Sequence, residues 1–218
     1  RNEWQPLAQA FSEAVELVHK VAKRRGEFMA ECVHLVPGKI EASDGIRQIA
    51  RYRVATPVAG SVLVRARSLA KMIPLGMNRA AETANWLHFA NPMGLRLSVQ
   101  KYGTDAYPDP EPYLREPGRQ FVLPKGLKDA GLRAGVLGDG VVRLTAGRGV
   151  LRVQGISQDG DYEEEREYPY QGPDFGFRLP EKLLAELCER HPECQVTESA
   201  VRVEVDGYVY YSSLEQEP

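Results

Sequence analysis

The sequence predicts an α+β protein of two tandem domains, each with two helices packed on antiparallel sheet. Three observations predict it. The order of elements in the first half begins again in the second, although the residues do not repeat. A stretch crowded with proline separates the halves, and within each half short alternating or apolar runs lie between turn-forming residues.

Residues 6–25 place Leu7, Ala10, Phe11, Ala14, Val15, Leu17, Val18 and Val21 at helical spacing, and Gly26 follows as a stop. Residues 28–36, 39–42 and 48–54 read as antiparallel strands, divided by Pro37-Gly38 and Ser43-Asp44-Gly45. A short β-like run at 61–65 precedes a second helix at 68–75. Residues 86–90 and 95–101 then pair across Asn91-Pro92-Met93-Gly94, closing a domain over residues 1–104.

Residues 105–118 form the connector. Prolines 108, 110, 112 and 117 exclude a central strand or a helix interior there. The second domain, residues 119–218, predicts strands at 120–123, 141–145, 150–157, 163–170, 195–197, 200–205 and 208–214, with helices at 125–137 and 180–190. Ala146-Gly147-Arg148-Gly149 and Asp206-Gly207 supply residues that tolerate positive φ in tight hairpins. Pro180 suits a first helical turn, where a missing N–H costs nothing.

The whole chain carries a net charge of −2, but the halves differ: residues 1–104 hold 15 basic against 8 acidic side chains, and residues 105–218 hold 13 against 22. No run approaches the roughly 18 apolar residues of a membrane-spanning helix, and the first residues are too polar for a signal peptide, so a cytoplasmic protein is expected. Cys32, Cys188 and Cys194 are odd in number and lack Cys-x-x-Cys spacing, which favours buried free thiols over disulfides or zinc.

Enzyme signatures are missing. There is no Gly-x-Ser-x-Gly elbow, no His-Glu-x-x-His and no Gly-rich phosphate loop. His19, His34, His88 and His191 have no catalytic pattern around them. Ser43-Asp44-Gly45 has the wrong order for an aspartic protease and suits a turn. A non-enzyme with no cofactor, metal or catalytic residue is therefore expected.

Five short motifs, in order, carry a resemblance. They are Lys39-Ile40-Glu41-Ala42-Ser43-Asp44-Gly45-Ile46-Arg47; Tyr107-Pro108-Asp109 with Tyr113; Tyr162-Glu163-Glu164-Glu165; residues 177–184, beginning Phe177-Arg178-Leu179-Pro180; and residues 208–214, beginning Tyr208-Val209-Tyr210-Tyr211. In this order they resemble the second and third domains of the bacterial DNA polymerase III β sliding clamp. The chain departs from that pattern at Gln48, in the three residues between Asp109 and Tyr113, and in the missing C-terminal proline.

The resemblance implies two tandem DNA-clamp domains and a processivity factor that encircles duplex DNA without reading its sequence, tethering a polymerase and served by a clamp loader. Helices would line the hole. The basic residues on or beside them would meet phosphates: Lys20, Lys23, Arg24, Arg25, Arg67, Lys71, Arg79, Lys125, Lys128, Arg133, Lys182 and Arg190. Acidic residues on the last two helices weaken the second domain's field, and residues 163–167 would form an outer acidic strand.

A partner-peptide pocket is implied at Ser43, Gly45, Ile49, Pro117, Val122, Tyr210 and Tyr211, with at most one of the adjacent tyrosines lining it. Six-domain rings imply a homotrimer of two-domain chains; a missing N-terminal domain would permit a dimer. The trimer is favoured because only Arg1-Asn2-Glu3 precedes Trp4. The alternative is a non-encircling adaptor or regulator of the replication machinery.

Overall fold

The computed structural model describes residues 3–23, 25–45, 47–104, 107–190 and 192–214, with only the backbone of Arg190. Two compact units result: Arg1–Pro112 with Asp206–Tyr210, and Tyr113–Val205 with Tyr211–Pro218.

In the first unit, β1 (Gln5–Pro6) precedes helix α1 (Phe11–Val18) and a 3-10 turn at Phe28–Glu31. Strands β2 (Cys32–Val36), β3 (Lys39–Ser43), β4 (Gln48–Arg53) and β5 (Val62–Arg65) form a sheet in the order β5-β2-β3-β4, continued by the first residues of the last strand of the chain. Its period-2 pattern separates two faces. Val33, Leu35, Ile40, Ala42, Ala50 and Val64 alternate with Cys32, His34, Glu41, Arg51 and Leu63. Phe11, Ala14, Val15, Leu17 and Val18 bury one whole stripe of α1, which packs against β3 and β4.

Helix α2 (Ala66–Leu69) is a single turn that runs into a 3-10 turn at Ala70–Met72 beside α1. A second sheet, ordered β1-β6-β7-β8, uses β6 (Arg79–Glu82), β7 (Trp86–Ala90) and β8 (Arg96–Gln100). The buried Asn91 side chain ties its far end together: Nδ2 donates to Leu75 O at 2.8 Å, and Oδ1 accepts from the backbone N–H groups of Met93 and Leu95 at 3.0 Å each.

After the one-turn α3 (Glu111–Leu114), whose first N–H donates to Asp109 Oδ1 at 3.0 Å, the second unit begins. Its elements are β9 (Arg119–Val122), α4 (Leu127–Leu137), β10 (Val141–Gly147), β11 (Val150–Ser157), β12 (Gly160–Glu167), β13 (Phe175–Pro180), α5 (Glu181–Arg190), β14 (Glu193–Val196) and β15 (Ala200–Val205), followed by the end of β16 (Tyr208–Ser213). One sheet runs β12-β11-β10-β13; the other places β14 between β15 and β9. Phe121, Tyr168, Tyr170 and Phe175 form one aromatic cluster, with Phe121 5.0 Å from Tyr168 and 5.2 Å from Phe175 between ring centroids.

Helices α4 and α5 touch because two glycines one turn apart leave a groove. A Cβ at Gly131 would lie 2.6 Å from Leu184 Cδ2, and one at Gly135 would lie 1.8 Å from Glu181 Oε2. Gly155 on β11 plays the same part beneath α4, since a Cβ there would sit 1.8 Å from the backbone oxygen of Ala134.

Several expectations are corrected. The first helix spans Phe11–Val18 rather than residues 6–25: Gln5 and Pro6 pair with Ala80 and Arg79, and buried Val21 continues the apolar period from a turn. The first part of the strand expected from residue 28 is a 3-10 turn. The helix expected at 68–75 is α2 plus its 3-10 turn, ending at Met72. The connector contains α3, and Pro180 ends β13 rather than opening α5.

Candidate nucleic-acid interface

In the first unit, most of the expected cations lie on the helices or in the turns that follow them. Lys20 and Lys23 follow α1 half-buried, Arg25 is exposed, and Arg67 on α2 and Lys71 on the 3-10 turn are exposed. Among the described residues Arg25, Arg67 and Lys71 enter no ion pair, which leaves their charge available to an anionic partner. Burial, reinforced by the Lys20 ammonium, lowers the pKa of His19, so His19 adds no cation at neutral pH. Arg79 is exposed but lies on β6 opposite Pro6 and Ala90, away from α2 in sequence and on a sheet. Arg24, like Ile46 and His191, lies outside the described residues.

The second unit spends its cations differently. Lys128 on α4 pairs with Glu189 on α5, whose hydrogen bond and charge raise the lysine pKa. Arg133 donates Nε to Tyr162 Oη at 2.8 Å and Nη2 to Glu164 Oε2 at 2.5 Å. Tyr162, Arg133 and Arg166 together lower the Glu164 carboxyl to about 2. Lys125 and Lys182 remain exposed without ion pairs among the described residues, and of Arg190 only the backbone on α5 is described. The acidic strand is laced as well, with Arg152 Nε 2.9 Å from Glu165 Oε1 and Arg166 Nε 2.7 Å from Glu164 Oε1. Two of the cations expected here to meet phosphate thus already have carboxylate partners.

The pocket residues fall into two groups. Ser43, Gly45 and Ile49 share the β3–β4 turn: Ser43 faces Ile49 across the ladder, and the Gly45 N–H donates to Ser43 Oγ at 3.0 Å. Asp44 Oδ1 accepts from the N–H groups of Arg47 and Gln48 at 2.7 and 2.8 Å, which accommodates the extra Gln48 in the loop. Tyr210 is buried in the core of the same unit, at 0% exposure.

In the second unit, exposed Val122 sits on β9 and buried Tyr211 on β16, three strands apart and so separated by about 14 Å of sheet. Pro117 is exposed beside Glu116, whose Oε2 accepts from Thr197 Oγ1 at 3.0 Å and Ser199 Oγ at 2.6 Å; Ser199 Oγ is in turn 3.4 Å from Tyr211 Oη. Exposed Tyr113 lies 5.9 Å from Tyr211 between ring centroids, an aromatic pair the pocket assignment omitted. Its signal was Tyr113 itself, placed in the connector motif.

The site that sequence reasoning missed lies on the first sheet. His34, Glu41 and Arg51 stand directly opposite one another on β2, β3 and β4. Glu41 Oε1 lies 2.8 Å from His34 Nδ1, while Oε2 accepts from Arg51 Nε at 2.8 Å and Lys39 Nζ at 3.3 Å. Burial would raise the Glu41 pKa, but the His34 hydrogen bond and the Arg51 and Lys39 charges overcome it and bring it to about 2. Arg51 Nη1 continues to Glu111 Oε1 at 2.6 Å. Burial of its phenol raises the pKa of Tyr107, whose ring is 4.3 Å from His34.

Sequence comparison finds no matching protein family and no matching curated relative. Comparison of structures is decisive. The DNA polymerase sliding clamp of Caulobacter crescentus matches 99% of this chain at a TM-score of 0.74 and 15% identity. The fold is that of a sliding clamp. The β chain of DNA polymerase III from Streptococcus pneumoniae matches 100% of the chain at a TM-score of 0.73 and 13% identity, and the β subunit from Thermotoga maritima matches 99% at 0.68 and 17%. The chain spans 66% of the length of each of these three proteins. Both units thus fall within the clamp fold, as does the α+β arrangement of helices on antiparallel sheet. No helix among the described residues is long and apolar enough to cross a membrane.

Proposed function

We propose that the chain is a DNA sliding clamp, which binds duplex DNA without reading sequence and tethers a polymerase. The observation that carries this reading is the exposed cations of the first unit, Arg25 in the bend after α1 and Arg67 and Lys71 on α2 and its 3-10 turn, which enter no ion pair among the described residues, on a fold shared with sliding clamps. Cations not engaged by carboxylates attract phosphates irrespective of base, and weak exchangeable contacts permit sliding. Copies of the chain join into a ring; with two units each, three copies would supply the six units of a closed one. The exposed ring of Tyr113, backed by the buried Tyr211, is the proposed seat for a partner peptide, since exposed aromatic area with a hydroxyl suits a short apolar anchor.

Retention on DNA tests the ring. The protein, with its loader where required, is expected to stay on a closed circle through a salt wash and to leave when the circle is cut. Equal release from circular and linear DNA, with a monomeric mass by light scattering, would sink encirclement. That result favours a second reading, a clamp-fold adaptor, for which the neutralised Lys128 and Arg133 already speak.

Charge reversal gives a second prediction. Arg67→Glu with Lys71→Glu is expected to weaken DNA binding similarly for all sequences. In a ring of three copies the two substitutions remove six phosphate contacts, which should reduce the slope of log affinity against log salt by about 5. Lys128→Glu should change that slope little, because Lys128 faces Glu189. Salt titrations of the two variants separate these outcomes.

A further inference from the structure

Three side chains of the first unit stand in an order that DNA binding does not require. Ser61 Oγ lies 2.7 Å from His34 Nε2, and His34 Nδ1 lies 2.8 Å from Glu41 Oε1. Exposure follows the same order: Ser61 is exposed, His34 is 9% exposed and Glu41 1%. A hydroxyl open to solvent, an imidazole behind it and a buried carboxylate behind that are the parts of a serine nucleophile, whatever fold carries them. We propose that Ser61 is the nucleophile of an acyl-transfer site for small activated carboxylic esters, with His34 as general base and Glu41 as a positioning residue.

The surroundings suit those roles. Strand register sets His34 opposite Glu41, so the β2–β3 ladder holds the pair. Arg51 and Lys39 both occupy Glu41 Oε2, which leaves Oε1 to fix the imidazole with Nδ1 toward the carboxylate and Nε2 toward Ser61. The Tyr107 ring covers the imidazole. On the open side, a Cβ built on Gly60 or on Gly103 would meet nothing within 4 Å, so space exists on both chain segments that flank the hydroxyl. Thr104 Oγ1, 3.1 Å from Ser61 Oγ, is a donor within reach of a developing oxyanion. The Ser61 proton can point to Thr104 or to His34; the second rotamer is the reactive one.

In the reaction, Ser61 Oγ bonds to the ester carbonyl carbon as its proton passes to His34 Nε2. The tetrahedral intermediate collapses, the C–O bond to the alcohol breaks, and the departing oxygen takes the proton from His34. The acyl group remains on Ser61 until water, giving a proton to the same imidazole, attacks its carbonyl carbon; the bond to Ser61 Oγ then breaks, Oγ takes the proton back from His34, and the carboxylic acid departs.

The chain contains its own control. Ser98 Oγ lies 2.8 Å from His88 Nδ1, but His88 Nε2 meets Thr83 Oγ1 at 3.2 Å rather than a carboxylate. Treatment of the intact protein with a fluorophosphonate probe, trypsin digestion and mass spectrometry distinguish the two serines: Ser61 is the only serine of residues 54–65 and Ser98 the only one of residues 97–101. The adduct is expected on 54–65 at least about tenfold above 97–101, a conservative figure for a serine with a general base, and absent in Ser61→Ala and His34→Gln. No adduct on Ser61, equal labelling of both serines, or labelling that survives His34→Gln overturns the proposal. The wild-type comparison needs no variant, so it stands if a substitution misfolds. No DNA is present in it, so its failure is distinct from failure of the clamp reading.

Discussion

Replacing Glu41 by alanine is expected to destabilise the first unit by about 3 kcal/mol, the lower end of the range for a broken buried ion pair, because buried Arg51 and His34 lose the carboxylate between them and Arg51 keeps only Glu111. The pair's own net contribution is smaller, since removing both partners also removes the cost of desolvating them. Arg51→Met with Glu41→Leu should therefore recover much of the loss. Urea unfolding at neutral pH reads the difference as a shift in midpoint at constant slope.

The same carboxylate predicts an acid limb. Its pKa falls from 4.5 to about 2 on folding, so its contribution is complete above pH 4.5 and is lost as pH falls through 2. A shift of that size corresponds to roughly 3 kcal/mol, in keeping with the mutational expectation. Acid unfolding curves of wild type and Glu41→Gln should converge towards pH 2; curves that stay parallel would show that other carboxylates set the limb.

The second large effect is at Gly155. A methyl group there would lie 1.8 Å from the Ala134 carbonyl oxygen, and helix backbone cannot step aside as a side chain can. Gly155→Ala is expected to cost about 3 kcal/mol, the upper part of the usual overpacking range, and to lower the melting temperature of the second unit by roughly 10–20 °C. Gly131→Ala is the comparison. Its obstacle is Leu184 Cδ2, the tip of a rotatable chain, and alanine gains up to about 1 kcal/mol of helix propensity over glycine. Calorimetry showing equal costs at the two positions would contradict this distinction between backbone and side-chain obstacles.

These sites also show where sequence reading succeeds. Strands β11 and β15 match their expected bounds because alternation and flanking turns are local signals, and hairpin residues Asp206 and Gly207 adopt the positive φ expected, 47° and 85°. Strand β13 escapes although Phe175, Phe177 and Leu179 alternate, because Pro180 next to them points to the start of the helix expected at 180–190. Helix α1 was overextended because Val21 is buried from a turn, where burial and helical period cannot be told apart.

Of the candidate site, cation positions on helices were legible but their partners were not. Lys128 and Glu189 are 61 residues apart in sequence, and no local pattern reveals that each neutralises the other. The His34–Glu41–Arg51 row had a signal: polar residues at matching phases of three successive apolar strands. The closure to Ser61, 27 residues from His34, had none.

The division of β16 bears on the order in which the protein is made. Asp206–Tyr210 belong to the first unit, where Tyr208 and Tyr210 are buried and Arg53 donates its N–H to Gly207 O at 2.9 Å. During synthesis the ribosome must therefore finish nearly the whole second unit before the first receives its last strand. A nascent chain that stops short of residue 206 carries an unfilled place beside β4, so the usual rule that domains fold one by one as they emerge gives way to completion of the first unit only after most of the second has been made.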